Sequence, residues 1–348
     1  MAAHDRIVVQ DGVGSISRLS LFDFSGRLIK TFTVGAGPGD LHDFINFDVN
    51  PVDGFIHVYQ DNQICSYDSN GCFLRSRSLP FSFYNFLSLP DGNFVFRCFE
   101  GQTNSDNSLA DCSAFVSDSG LSVTRKLLSP APRTSLPTAR CALWRDGDAF
   151  LVSNAFSDTI FWSDGDVLAA KFILDYSSCK MPYSCLTMDF GDYMNFVHDN
   201  DCLYHSGDFV NNSTHLYLPL INNHRKSAFG VFVDKNSHLF TAGYNLVSDA
   251  EYLPSLNPPA GAFNDLFISV IPSQNILCSV QFLKPSSLIS QKQIDALREL
   301  DADDNPVLAL SSGLRILVKC RPLNDTSHFY IRFFLLQTKK LSVCLAFL

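Results

Sequence analysis

Five polar residues of this chain have side chains suited to holding a divalent cation. Asn46, Asp48, Asn85, Asn195 and His198 lie in segments rich in apolar and aromatic residues, the composition of short strands. Asp and Asn supply the hard oxygen ligands that calcium prefers. If their strands face one axis, these side chains would converge on a central channel, where a metal-dependent hydrolase would have its site. Polar residues also line such a channel because it is filled with water, so the pattern assigns no catalytic residue.

A second candidate is the glycine-rich loop at residues 35–40, Gly-Ala-Gly-Pro-Gly-Asp. It matches neither the G-x-G-x-x-G spacing of a dinucleotide site nor the Gly-Lys-Ser/Thr ending of a P-loop. We therefore interpret Gly37 and Gly39 as parts of a structural turn, where glycine tolerates positive φ. A metal site formed by Asp40, His42 and Asp43 is an alternative, but polar residues in a loop are more often solvated.

No other catalytic pattern is present. The nine histidines include no H-x-H or H-E-x-x-H pair, and the sequence has no G-x-S-x-G elbow. The sequence therefore favours a non-enzymatic protein.

A recurring phrase shows which elements must position these residues. It consists of apolar or aromatic residues, an Asp or Ser, and a glycine that closes a turn. The phrase occurs at residues 21–26, 66–71, 115–120 and 161–165, with a degenerate copy at 231–237. The turn glycines, Gly26, Gly71, Gly120 and Gly165, are 45, 49 and 45 residues apart. Such a period with several short strands per repeat is typical of propeller blades, and the length accommodates six.

The second repeat shows the four strands of a blade most clearly. We predict strands at residues 44–49, 55–59, 63–67 and 72–77, with Asn70 and Gly71 forming a two-residue hairpin turn. The first blade begins at Arg6 without its first strand, and a sixth blade is predicted at residues 266–271 and 276–282. Ser290 and Gln293 predict a capped helix that ends before Pro306.

Composition excludes several classes of protein. The net charge is −9 and only 18% of residues are charged, so no basic surface for nucleic acid is indicated. No run of about 18 apolar residues predicts a transmembrane segment, and the N-terminus shows no signal peptide. The 11 cysteines lie mostly in apolar runs, which favours small buried residues over a disulfide framework, although Cys179 and Cys185 could bridge a loop.

The C-terminal residues differ from the rest. Residues 314–348 contain six Lys or Arg and one acidic residue, Asp325, in an otherwise apolar stretch. We predict that residues 313–348 form an atypical basic tail or added strands, outside a propeller that spans residues 1–312.

Two motifs carry a resemblance to a known family. The loop at residues 35–40 resembles the G-x-G-P-G-E motif of a bacterial six-bladed β-propeller family of uncharacterised envelope proteins, with Asp40 in place of Glu. Residues 303–308, Asp-Asp-Asn-Pro-Val-Leu, resemble the family's D-N-P-V-L ending. The resemblance covers residues 6–312 and extends to NHL-repeat and TolB-like propellers. It implies the fold and a cell-envelope or periplasmic setting, often as a lipoprotein, but no catalytic residues.

These observations predict an all-β, six-bladed β-propeller with one short helix near the C-terminal end. The expected function is a non-enzymatic binding or scaffold module that holds a protein, carbohydrate or small-molecule ligand on one propeller face. We expect a monomer with no cofactor, no nucleic-acid partner and no transmembrane segment. The alternative is a calcium-dependent hydrolase or lactonase with its site at the central channel.

Overall fold

The chain folds as an all-β β-propeller with few helices. The computed structural model describes residues 2–3, 6–11, 18–23, 27–37, 39–42, 44, 46–98, 106–130, 142–176, 179–222, 224, 227–243, 247–248, 258–285, 290–301, 307–312 and 316–317. Two compact units are present. One contains Met1–Leu174, Met181–Phe196 and His205–Asp208, and the other contains Asp175–Lys180, Val197–Tyr204 and Phe209–Leu348. Over the described residues, no helix has both the length and the apolar character needed to cross a membrane.

Four antiparallel sheets of four strands make up most of the first unit, and the strands of each sheet follow chain order. The first sheet contains β1 (Ala2–Ala3), β2 (Arg6–Asp11), β3 (Arg18–Asp23) and β4 (Leu28–Thr31). The second contains β5 (Asn46–Val49), β6 (Ile56–Gln60), β7 (Gln63–Tyr67) and β8 (Phe73–Ser78). The third contains β9 (Asn85–Ser88), β10 (Phe94–Arg97), β11 (Ala114–Ser117) and β12 (Val123–Leu128). The fourth contains β13 (Leu143–Asp146), β14 (Ala149–Ser153), β15 (Thr159–Ser163) and β16 (Leu168–Ile173).

The later part of the chain forms three further sheets and three α-helices. A five-stranded sheet contains β17 (Tyr204–His205), β18 (Val210–Asn211), β19 (His215–Asn222), β20 (Ser227–Asp234) and β21 (Phe240–Gly243). A two-stranded sheet pairs β22 (Val247–Ser248) with β26 (Ile316–Leu317), and a three-stranded sheet contains β23 (Gly261–Phe263), β24 (Leu266–Ile271) and β25 (Val307–Ser312). The helices are α1 (Phe190–Asp199), α2 (Ser273–Leu277) and α3 (Gln291–Arg298). Short 3-10 turns lie at Asn107–Leu109, Tyr183–Thr187 and Val280–Phe282.

Phenylalanine fills the space between the second and third blades. Phe81 packs edge-on against Phe96 and Phe115, with ring centroids 4.9 and 4.7 Å apart. Phe83 packs on Phe96 in the same way at 4.7 Å. These rings are almost fully buried, and edge-to-face contacts of this kind add to the free energy gained by burial. By contrast, most side chains of β8, the last strand of its blade, are exposed.

The number of complete blades is a correction to the sequence-based prediction. The described residues form five blades of four or five strands, not six. Residues 276–282, predicted as a strand, lie in α2 and the following 3-10 turn, because Pro272 ends β24 and Ser273 begins a helix. The first blade also differs from its prediction, since β1 pairs with β2 as the missing first strand.

Several other predictions are confirmed. The observed strands of the second blade agree with the predicted ones within two residues at each end. Ser290 caps α3 in the expected box with Gln293. Apart from these predictions, residues 307–312 form a strand that pairs with β24 in the last three-stranded sheet. The suggested bridge between Cys179 and Cys185 is wrong, because neither residue forms a disulfide bond.

The turn between the last two strands of each blade depends on an aspartate more than on a glycine. The Asp68 carboxylate accepts hydrogen bonds from the backbone N–H groups of Asn70 and Cys72 at 2.9 and 2.8 Å. Asp118 binds Gly120 and Ser122 in the same way. Gly71 has φ +78° in the first of these turns, whereas Leu121, and not Gly120, has positive φ (69°) in the second. Asn70 does not have a positive φ, which a two-residue hairpin turn would require at both of its central positions. The predicted hairpin is instead a longer turn capped by Asp68.

The remaining turn glycines have mixed outcomes. Gly39 and Gly165 have positive φ and Gly37 does not, while Gly26 lies outside the described residues. Of the predicted C-terminal tail, residues 316–317 form β26, and the rest lies outside the described residues.

Substitution of Gly71 with valine is expected to destabilise the protein by about 1–3 kcal/mol. A β-branched residue is strained at φ +78°, and a Cβ atom there would lie 3.0 Å from Lys30 Cδ and 3.2 Å from Phe32 Cζ. The matched control is Gly92→Val, because Gly92 has φ +83° but a Cβ atom there would meet nothing within 4 Å beyond its chain neighbours. Thermal melts should show a larger loss for Gly71→Val. Equal losses would mean that backbone strain alone sets the cost.

Candidate functional site

The first strands of three successive blades, β5, β9 and β13, lie next to one another in the first unit. Each places a polar side chain at their junction: Asp48 on β5, Ser88 on β9 and Arg145 on β13. We call these three residues the inner-strand cluster. It contains one of the five predicted site residues and joins strands that are far apart in sequence.

The Asp48 carboxylate is fully buried and saturated with donors. Its Oδ2 atom accepts hydrogen bonds from the backbone N–H and the hydroxyl of Ser88, both at 2.7 Å. Two nitrogens of the Arg145 guanidinium group donate hydrogen bonds to the carboxylate, Nη1 to Oδ1 at 3.0 Å and Nη2 to Oδ2. Arg145 Nη2 also donates a hydrogen bond to the Ser88 carbonyl at 2.8 Å. A buried carboxylate is stable only when it is paired and hydrogen-bonded in this way.

Asn46 and Asn85 are also brought together, two residues before Asp48 and three before Ser88. The Asn46 amide nitrogen donates to Asn85 Oδ1 at 2.8 Å and to the Tyr84 carbonyl at 3.3 Å. Asn46 Oδ1 accepts from the backbone N–H of Phe47. These contacts tie β5 to β9, so both amides serve the packing of neighbouring blades.

His57 lies directly opposite Asp48 on the paired strand β6. It is 6% exposed, its Nδ1 lies 2.9 Å from the Ser66 hydroxyl, and its ring packs edge-on against Phe94. Burial lowers the pKa of His57 from 6.5 to about 4, against the opposing effect of Asp48. His57 is therefore neutral in the folded protein at neutral pH.

The buried His57 should make the protein less stable in mild acid. Between pH 6.5 and pH 4 the unfolded state binds a proton that the folded state excludes, so stability is full above pH 6.5 and falls as the pH is lowered. From pH 7 to pH 5 we expect His57 to account for a loss of about 2 kcal/mol. Urea unfolding of the protein and of His57→Gln, each at pH 7 and pH 5, measures how much of the loss of stability is due to His57.

The control for this experiment is Asn195→Gln, because Asn195 is exposed and its amide does not titrate. That variant should keep the pH dependence of the unaltered protein. A His57→Gln variant with an unchanged pH dependence would contradict the assignment.

Two predicted site residues are not on strands. Asn195 and His198 lie on the helix α1, where both are exposed, and His198 Nδ1 contacts Asp199 at 2.9 Å. The sequence Phe-Gly-Asp-Tyr-Met-Asn-Phe-Val contains enough apolar residues to suggest a strand, but its apolar positions Tyr193 and Val197 recur at helical spacing. The prediction that these two residues lie on inner strands is wrong.

The glycine-rich loop is held by its own aspartate. Asp40 Oδ2 accepts a hydrogen bond from the backbone N–H of Gly37 at 2.9 Å. A Cβ atom on Gly35 or Gly37 would approach that oxygen to 2.6 or 2.8 Å, so a side chain there would displace the Asp40 carboxylate from its present position. His42 contacts Asp61 instead of Asp40, and Asp43 lies outside the described residues. These contacts agree with the structural turn predicted for this loop.

Sequence reasoning missed two arginines. Arg145 completes the inner-strand cluster, and the fully buried Arg97 on β10 donates to the carbonyls of Ser113 and Ser153 and to Asn154 Oδ1 at 2.6, 3.2 and 2.7 Å. The available signal was an arginine inside the apolar run Phe-Val-Phe-Arg-Cys at residues 94–98, since arginine is almost never buried without partners.

An open cleft of about 430 Å³ lies between turns of the third and fourth blades. Its polar lining includes Asp91, Asn93, Arg125 and Asp164. Asp91 accepts hydrogen bonds from Asn93, and Asp164 from the backbone N–H groups of Asp166 and Val167. These carboxylates therefore close their own turns. Across the described residues, no group of three or more His, Cys, Asp or Glu side chains is arranged to hold a metal ion.

Comparison with known proteins places the chain in context. Residues 1–312 match the model of a family described as "Domain of unknown function (DUF4934)". None of the curated protein sequences matches the chain.

Three similar solved structures come from bacteria. A protein from Bacteroides fragilis NCTC 9343 that is predicted to be exported has a TM-score of 0.72 and 18% identity, over 92% of this chain and 89% of that one. A Bacteroides caccae protein of unknown function has a TM-score of 0.37 and 10% identity, over 90% and 93% of the two chains. AztD from Citrobacter koseri has a TM-score of 0.39 and 11% identity, over 94% and 97%. The first of these supports the fold.

Proposed function

This chain belongs to the family described as Domain of unknown function (DUF4934), and from that premise we propose that it is a non-catalytic binding or scaffold module of the bacterial cell envelope. In this proposal a β-propeller formed by residues 1–312 holds a protein, carbohydrate or small-molecule ligand, and the chain acts as a monomer. The envelope setting is supported by the Bacteroides fragilis protein of similar fold, which is predicted to be exported. The boundary at residue 312 is supported by the extent of the family match.

The inner-strand cluster is the observation that carries the non-catalytic part of the proposal. A general base or a metal ligand needs a lone pair directed at a substrate or an ion. Both Asp48 oxygens instead accept hydrogen bonds from Ser88 or Arg145. The cluster thus has the arrangement of a structural support that joins three blades.

The same residues give less support to the alternative function, a calcium-dependent hydrolase. It requires the five predicted side chains to share one site, but Asn195 and His198 lie on α1. Asn46 binds Asn85, and Asp48 would have to give up Arg145 to bind calcium. Loss of that pair would leave the guanidinium group without its carboxylate.

Calorimetric titration of calcium chloride into chelator-treated protein tests the proposal. We expect no saturable heat at micromolar to millimolar calcium. Tight binding of one calcium ion per chain, abolished by Asn46→Ala and Asn85→Ala together, would overturn the proposal and favour the hydrolase.

The envelope setting is tested separately by fractionating cells of the native bacterium and detecting the protein with an antibody. Recovery with periplasmic or envelope proteins is expected. Recovery only with cytoplasmic proteins would contradict that part of the proposal.

A further inference from the structure

Large apolar side chains are exposed in one short segment of the first unit. Among the described residues, 14 large apolar side chains are exposed, and four of them lie between residues 183 and 194. They are Tyr183 (67%), Met188 (37%), Phe190 (59%) and Met194 (44%). The others are spread over the rest of the described chain. Exposed apolar side chains concentrated in this way mark interaction sites more often than scattered ones do.

Helix α1 shows why part of this apolar surface is left uncovered. Tyr193 and Val197 are four residues apart and buried, at 3% and 2% exposure. Phe190 and Met194, also four residues apart, lie about 60° away around the helix and are exposed. The apolar stripe of α1 is therefore wider than the part that the protein itself covers. Methionine adapts its shape to different partners, which suits a contact surface.

The charged residues on either side of Phe190 are acidic. Asp189 and Asp192 are exposed beside Phe190, and Asp189 Oδ1 also accepts a hydrogen bond from the backbone N–H of Asp192 at 2.9 Å. Residues 181–222 contain five aspartates and no lysine or arginine. A partner that carries lysine or arginine next to large apolar side chains would complement both features. An anionic lipid surface would instead be repelled.

We propose that the α1 surface docks a basic, apolar segment of a partner protein. We define this surface by Phe190 and Met194 on the helix, Asp189 and Asp192 beside Phe190, and Tyr183 and Met188 in the segment before the helix. The proposal rests on the binding function proposed above and specifies its surface and class of partner. The apolar side chains provide contact area, and the two carboxylates select for basic residues and orient the segment.

The test uses the full chain and a fluorescent peptide of about 18 residues, made of leucine and lysine in an amphipathic helical pattern. A matched peptide carries glutamate in place of lysine. Fluorescence anisotropy should show saturable binding of the basic peptide only. Its affinity should fall at least about tenfold in Phe190→Ser/Met194→Ser. In Asp189→Asn/Asp192→Asn it should fall about threefold, with a weaker dependence on salt.

The control variant is Leu239→Ser/Phe240→Ser, which removes two other exposed apolar side chains, 71% and 39% exposed. It should bind the basic peptide like the unaltered protein. Circular dichroism confirms that each variant is folded. If Phe190→Ser/Met194→Ser does not fold, Tyr183→Ser replaces it, because that side chain is the most exposed of the four.

Four results would overturn the proposal. They are equal binding of the acidic peptide, binding unaffected by the α1 variants, α1-dependent binding to phosphatidylglycerol vesicles, and an α1-dependent dimer in sedimentation. The last two would assign the surface to a membrane or to a second copy of the chain. The calcium titration reports on the proposed function independently, since it does not involve these residues.

Discussion

Replacing Arg145 with methionine is expected to lower the free energy of unfolding of the first unit by about 3–5 kcal/mol. The substitution would leave the Asp48 carboxylate fully buried, with only the two hydrogen bonds from Ser88. Urea unfolding followed by tryptophan fluorescence is a direct measurement, because Trp144 and Trp162 both lie in the fourth blade, which also contains Arg145.

A double-mutant cycle separates the ion pair from other effects. Asp48→Ala should cost less than Arg145→Met, because the Arg145 side chain is 21% exposed and can be hydrated when Asp48 is lost. Combining Asp48→Ala with Arg145→Met should cost less than the sum of the two single changes. The exposed Arg75→Met is the control and should change stability by less than about 0.5 kcal/mol. Additive effects would show that Asp48 and Arg145 do not stabilise each other.

Replacing Arg97 with methionine is expected to lower the free energy of unfolding by about 3–4 kcal/mol. The change keeps the apolar stem but removes the donors to the buried carbonyls of Ser113 and Ser153. Each buried acceptor that loses its donor costs about 1–3 kcal/mol. Thermal and urea unfolding measure the loss.

Arg97→Lys is the informative companion variant. A lysine keeps the charge, but its compact ammonium group cannot reproduce the planar fork that reaches three acceptors. We expect a loss of about 2 kcal/mol, smaller than that of Arg97→Met. Full stability of Arg97→Lys would mean that charge, and not the geometry of the hydrogen bonds, accounts for the contribution of Arg97.

The local parts of the fold could be predicted from the sequence. In the second blade, alternation of apolar strands with turn residues places β7 at its observed bounds, Gln63–Tyr67. The capping box of α3 was likewise visible, because Ser290 and Gln293 are three residues apart and interact directly. Strand patterns and capping boxes are formed by residues that are close in sequence, so one sequence is enough to recognise them.

The candidate site could be predicted only in part, because its contacts are long-range. Asp48 was recognised as a polar residue on an inner strand, but its partner Arg145 is 97 residues away and no local pattern connects them. Leu121 shows a second limit. Positive φ in a turn favours glycine, yet here burial of the leucine at 4% exposure offsets the strained backbone. Both the Asp48–Arg145 pair and the positive φ of Leu121 depend on tertiary packing, which local sequence patterns do not show.

The pairing of β24 with β25 has a consequence during synthesis on the ribosome. Ile271 pairs with Val307, so 35 residues, including α2 and α3, lie between the two strands. At about 5–20 residues per second, translation of that interval takes about 2–7 s. Until β25 emerges, the nascent chain presents β24, an apolar strand of sequence Leu-Phe-Ile-Ser-Val-Ile, with one edge unpaired. Newly made chains should therefore depend on chaperones during this interval, although the finished protein pairs that edge.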